Sequence, residues 1–141
     1  MTHEEIVALF DRRTAAWECR DATALAAMHA GSGVVESPIA GGSVTGRAAI
    51  FQLYEAFFKS FPDAMLTIDE LVIDGDRVAQ IATLAGTDAG GFLGLPASGR
   101  PFRVPLLALL TVKDDLIVSE RRIYDFTGLL IQIGVLKAKP A

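Results

Sequence analysis

In the stretch ERRIYDFTGLLIQIGVL, residues 120 to 136, an apolar β-type run passes into a short helix, and Asp125 stands at the join. Two readings of that carboxylate compete. As a helix N-cap, its oxygen accepts an orphan backbone N–H of the next turn, a contribution of about 1 kcal/mol; Thr127 could do this instead. Turned into an apolar pocket, it would be desolvated, its pKa would rise, and a substrate C–H or hydroxyl would meet a poorly hydrated base. Strand alternation puts Arg121, Ile123 and Asp125 on one face, with Glu120, Arg122 and Tyr124 on the other. Arg121 is thereby placed to hold Asp125 ionised or to bind a substrate carbonyl or carboxylate. Its alternative is a surface arginine balancing Glu55 or another acid, and Arg122 reads as a surface or interface charge.

Other side chains able to do chemistry are scattered along the chain. Tyr54 lies inside the apolar run AIFQLYEAFFKSF, where its hydroxyl is either an oxyanion donor in a cavity or a satisfied core group. Gln80 interrupts the apolar stretch RVAQIATLAGT and is either an amide donor to a ligand or an edge residue. Arg103, in GRPFRVP, enters the same pocket or joins Arg100 at its mouth. Glu36, in VVESP, is a second pocket acid or, as the rarity of buried acids favours, a solvent-facing residue in a salt bridge. His29 ends the second helical segment, where a cation suits the helix dipole, and is carried as a ligand contact. Phe57, Phe92, Leu107 and Ile123 supply apolar wall around such groups. The glycines at 90, 91, 94 and 99 lack the strand-then-helix context of a phosphate cradle and read as a flap over the pocket, with Phe92 and Leu93 at its tip. Cys19 is alone, and neither CxxC pairs nor histidine clusters of zinc-ligand spacing occur.

The elements that must position these groups follow from periodicity and punctuation. Thr2 with Glu5 makes a capping box, and Ile6, Leu9, Phe10 and Trp17 follow at helical spacing, so a helix is expected over residues 3 to 18. Asp21 caps a shorter helix ending before Gly31 and Gly33, and VVESP is a brief strand closed by Pro38. A third helix, capped by Thr45, carries Ile50, Leu53, Tyr54, Phe57, Phe58 and Phe61 as a wide apolar stripe until Pro62 stops it. From Ala64 the period changes to two. Four β segments follow, separated by Asp74-Gly75-Asp76, the glycine-rich stretch and Lys113-Asp114-Asp115, and they read as an antiparallel meander. Residues 102 to 110 are apolar on both faces, as if one lined a cavity and the other met a helix or a second subunit. Gly134 ends a last helix.

A length of 141 residues fits one domain, expected over residues 1–136 with a tail at 137–141. Half the residues are apolar and the mean hydropathy is +0.39, a surplus that asks for a cavity or a partner chain. A net charge of −4 without a basic run excludes the footprint of a nucleic-acid binder. The N-terminal segment carries acids where a signal peptide carries bases, and no apolar run reaches the roughly 18 residues of a membrane span. A cytoplasmic protein is expected.

Helices first and a curled antiparallel sheet second make an α+β layer architecture. That order, with VVESPIAGGSVTGRAAI, FLGLPASGRPFRVP and IVSERRIYDFTGLLIQIGVL, resembles the SnoaL-like polyketide cyclase family. The family belongs to the superfamily of nuclear transport factor 2, ketosteroid isomerase, scytalone dehydratase and limonene epoxide hydrolase. The resemblance implies a cone in which a curved sheet wraps the helices around an internal pocket. It implies Asp125 as the acid/base of an intramolecular aldol closure on a small hydrophobic carbonyl compound, with no cofactor and no metal. A homodimer through the outer face of the sheet is expected. The family cyclases use a histidine on the neighbouring strand as well; here His3 and His29 both fall in the helical N-terminal part, a departure from that pattern. Two other functions remain open. An epoxide hydrolase would assemble Asp125 with Arg103 or Arg121 and a further acid, Asp88 or Asp69; a binding module would hold an apolar ligand unchanged.

Overall fold

The computed structural model describes residues 1–137, so residues 138–141 of the expected tail lie outside the described residues. Helix α1 (His3–Glu18) begins on the expected capping box: Glu5 N donates to Thr2 Oγ1 at 3.1 Å and Thr2 N to Glu5 Oε2 at 2.7 Å. Its inward face buries Ile6, Leu9, Phe10, Ala16 and Trp17, each large apolar side chain contributing roughly 1.5–3 kcal/mol. Asp21 caps α2 (Ala22–Ala27), accepting from Ala24 N at 3.0 Å. The chain then enters β1 (His29–Ser37) directly. Gly31 and Gly33, expected beyond the helix end, therefore lie inside the strand, where its register shifts between His29 and Val34.

A turn of 3-10 helix (Pro38–Ala40) and Gly41, at φ 67°, return the chain into the short β2 (Gly42–Thr45). Helix α3 (Arg47–Ser60) starts from Gly46 at φ 91° with no side-chain cap, so Thr45 does not play the capping part its type suggested. Ile50, Tyr54 and Phe57 are its buried stripe, and Phe61 closes it. The remaining strands are β3 (Met65–Asp74), β4 (Arg77–Thr87), β5 (Pro101–Lys113) and β6 (Leu116–Tyr124), followed by α4 (Phe126–Gln132). Asp114 and Asp115, both at positive φ, form the two-residue turn from β5 to β6, a backbone hand that matches strand twist.

The six strands make one curved sheet in the order β2-β1-β6-β5-β4-β3. Every neighbouring pair is antiparallel except β1 with β6, whose parallel register places Glu36 beside Arg121. Strand β5 alternates without a break: Phe102, Val104, Leu106, Ala108, Leu110 and Val112 face the helices, while Arg103, Pro105, Leu107 and Leu109 face out. The helices cover the concave face, and α4 closes one end with Leu129, Leu130 and Ile133. This is the nuclear transport factor 2 and ketosteroid isomerase-like α+β cone, with a hollow between α1, α3 and the sheet. No helix among the described residues is long and apolar enough to cross a membrane.

Candidate functional site

The hollow is narrow, with a cavity volume of about 20 Å³. Leu53, Phe57, Leu66, Leu84 and Leu106 make most of its wall apolar, and a set of charged and polar groups gathers on one side. Arg13 donates through Nη2 to Glu120 Oε1 at 2.9 Å and to the Tyr54 hydroxyl at 3.3 Å, and through Nη1 to Gln80 Oε1 at 3.0 Å. From the other flank Arg122 donates through Nε to Glu120 Oε2, and through Nη2 to the same Tyr54 hydroxyl at 2.5 Å. The Arg122 guanidinium also lies 4.9 Å from the centre of the Tyr54 ring. Arg13 and Glu120 are fully enclosed, whereas the Arg122 side chain keeps 10% of its surface exposed.

Burial alone would push the Glu120 carboxyl up, but Arg122 and Arg13, helped by His29, outweigh it and hold the group well below the usual carboxylate range. Burial likewise works against charge on Arg122, and Glu120 overrides it, so Arg122 is held more firmly protonated than a free arginine. Glu120 is thus an ionised but fully engaged acid, tied at both oxygens. Tyr124 lines the same cavity, 3.4 Å from Ser37 Oγ; burial pushes its hydroxyl up despite Ser37 and Arg122, so it stays a proton donor.

Local sequence explains how such groups come inside. Arg13 continues the spacing of Ile6, Leu9, Phe10 and Trp17, so the apolar stripe of α1 carries it into the core. In β6, Ile117 faces inward, and unbroken alternation from it would bring Arg121, Ile123 and Asp125 in. Thr111 pairs with Ser119 but Val112 pairs with Ile117, which leaves Val118 without a partner. That bulge reverses the parity, as a one-residue slip must. Glu120, Arg122 and Tyr124 turn to the cavity instead.

The model of the SnoaL-like polyketide cyclase family matches residues 8–133. The chain belongs to that family. This SnoaL-like protein superposes on AclR of Streptomyces galilaeus, provisionally described as a hydroxylase, with a TM-score of 0.84 and 27% identity, covering 99% of this chain and 87% of that one. IdmH of Streptomyces antibioticus, provisionally a polyketide cyclase, gives 0.78 and 27%, over 94% and 99%. A protein of ketosteroid isomerase-like fold from Catenulispora acidiphila, in complex with trimethylamine, gives 0.79 and 25%, over 94% and 97%. No curated protein matches the chain. A hydroxylase and a cyclase among the neighbours show that one cone is named for different reactions.

The SnoaL-like cavity brings together three of the expected site residues, Tyr54, Gln80 and Phe57, and leaves the others elsewhere. Asp125 is exposed and caps α4: Gly128 N donates to its Oδ1 at 2.8 Å, and the carboxylate folds so closely over that glycine that a Cβ there would come 2.1 Å from Oδ2. The water-poor acid expected at that position is Glu120. Arg121 lies on the outer face in a 3.4 Å ion pair with Glu36, both mostly exposed, so the acid it balances is Glu36 rather than Glu55. Arg103 is exposed, and its backbone N–H and carbonyl pair with the Gln132 side chain. Leu107 and Ile123 also face outward.

Phe92 is no flap tip. It is buried against Phe61 and Phe126, while Leu93 stands in solvent. His29 opens β1 instead of ending a helix; its Nδ1 donates to Leu25 O at 3.0 Å and its Nε2 lies 3.5 Å from Glu120 Oε1, behind the cavity wall. Asp88 is buried and accepts from Gly91 N and Ser98 N, holding the 88–100 loop, and Asp69 accepts from Thr83 on the surface. The acids and arginines of the epoxide hydrolase reading are therefore not assembled at one place. Arg13, Glu120, Arg122 and Tyr124, unassigned or placed outside by alternation, line the cavity instead.

Proposed function

We propose that this protein is a cyclase-type enzyme that moves protons, without a cofactor, on a small hydrophobic carbonyl compound held in the inner cavity, and that it works as a homodimer through the outer face of its sheet. The buried Arg13-Glu120-Arg122-Tyr54 cluster within an otherwise apolar hollow carries this reading. A substrate carbonyl oxygen beside Tyr54 and Arg122 meets donors held in place before reaction, in surroundings where water cannot screen them. The substrate's acidic α-proton is lost to water before binding. When the bound enolate carbon adds to that carbonyl, the C=O π pair moves onto oxygen, the alkoxide is stabilised more than the neutral ketone, and the Tyr54 O–H gives it a proton that water later restores. The Tyr54 oxygen accepts from both guanidiniums and keeps one O–H to give; Tyr124 is a second donor. Glu120 contributes by fixing the two arginines.

The test is turnover of a panel of soluble β-diketones by the purified protein, followed by chromatography of the products. Tyr54→Phe should lower kcat by about 10² or more while Asp125→Asn stays near wild type. A fully active Tyr54→Phe variant overturns the reading. A binding role without turnover is the second reading, favoured by the engagement of both Glu120 oxygens, and it predicts a retained ligand unchanged after long incubation.

A further inference from the structure

The cavity is poor in acceptors and rich in donors. Glu120 Oε1 and Oε2, Gln80 Oε1 and the Tyr54 oxygen already accept from arginines. Two donors of lining residues, Arg13 Nε and Trp17 Nε1, are buried with no partner among the described residues. They stand four residues apart on α1 and so share one face of it. Leaving such groups unpaired in a folded protein is costly, and an acceptor brought by a ligand removes the cost. Charge points the same way. Two guanidiniums face one carboxylate among the lining side chains, which leaves one positive charge uncompensated inside an apolar wall.

We infer that the molecule this cavity takes is a small apolar organic monoanion, an aromatic or hydrocarbon body with one carboxylate or ionised enol whose oxygens meet Arg13, Trp17 and Arg122. The inference rests on the inner cavity being the substrate site, and it narrows the carbonyl compound proposed above to one bound with its negative charge already present. The apolar body lies against Leu53, Phe57 and Leu106 once these side chains part to widen the narrow cavity, and the anion lies at the charged side.

Benzoate and benzamide separate the two ideas, because they share a shape and differ in charge. Trp17 is the only tryptophan, so its fluorescence reports occupancy of the cavity, and calorimetry gives the affinities. Benzoate should bind about tenfold or more tightly than benzamide, and Arg13→Met, which cancels the excess charge, should erase that preference. Glu120→Gln, which doubles the excess, should strengthen benzoate binding in whatever fraction folds, an effect that loss of structure cannot produce. Equal affinity for the two probes in the wild-type protein overturns the inference and leaves the enzymatic reading standing. A benzoate preference that survives Arg13→Met places the anion elsewhere and also overturns it. Failure of both probes to perturb Trp17 or the calorimetric signal at millimolar concentration defeats the inference and the cavity assignment together.

Discussion

Glu120 and Asp125 are carboxylates five positions apart with opposite environments, and the difference can be measured. Glu120 joins two buried guanidiniums, so Glu120→Gln leaves cations with weakened partners and should cost about 3–5 kcal/mol in denaturant unfolding. Its effect on pH dependence has a definite sign. The folded carboxyl lies well below its ordinary value of 4.5, so the unfolded chain binds more protons in acid. The stabilisation is complete above about pH 5 and is lost as pH falls through the ordinary value toward the depressed one. Wild-type stability should therefore fall in acid more steeply than that of Glu120→Gln, and the gap between the two should narrow below about pH 4; parallel curves would contradict the arrangement. Asp125, by contrast, is a cap. Asp125→Ala should lose about 1 kcal/mol and Asp125→Asn almost nothing, since asparagine caps equally well. A large drop in turnover for Asp125→Asn without a change in stability would return that residue to the chemistry.

At the scale of the element, packing at the loop following β4 makes a strict demand. Gly90 N donates to Ser60 O at 3.0 Å, and a Cβ at Gly90 would come 1.8 Å from the Lys59 carbonyl oxygen, a backbone atom unable to swing away. Gly90→Ala should destabilise by about 2 kcal/mol or more and loosen the segment that Asp88 holds, visible as faster amide exchange over residues 91–99. Elements of this kind differ in how openly the chain announces them. The helix at residues 3 to 18 is legible because its capping box and apolar spacing agree, and β3 to β6 are legible from the turns between them, whereas β2, expected as a glycine turn toward α3, is not. The same spacing that revealed α1 also held Arg13, which a reading tuned to apolar types passes over. The bulge at Val118 has no local mark, because an unpaired residue exists only relative to the neighbouring strand. Alternation therefore sorts β6 into its two faces, but the face that meets the cavity is the one carrying Glu120, Arg122 and Tyr124. The exposed cap at Asp125 and the cavity at Glu120 follow from that single extra residue.

At the scale of the molecule, the outer face of the sheet accounts for apolar surface that the inner cavity does not. Ile81 pairs with Leu107, and Leu107 with Ile123, so three exposed apolar side chains lie side by side across β4, β5 and β6. Pro105 borders the row, and Asp125 stands at its edge beside Ile123. The donor groups that serve the cavity all point away from this surface, because each strand sends alternate side chains to opposite sides. A second copy of the chain, laid face to face on this row, would remove it from water, and in the homodimer proposed above Leu107 sits centrally. Leu107→Lys should then leave each cone folded, since the side chain faces solvent in the single chain, while placing like charges against each other across the shared surface. Sedimentation equilibrium at about 10–100 μM should show the wild-type protein as a dimer and the variant as a monomer, an interval where contacts of ordinary size remain associated. If the wild-type protein sediments as a single chain across that range, the row is not a dimer interface; if Leu107→Lys still dimerises, the copies meet through another surface. Retention of the Arg13-Glu120-Arg122 cluster in a monomeric variant would further show up as an unchanged Trp17 emission maximum, separating assembly of the sheet faces from assembly of the cavity.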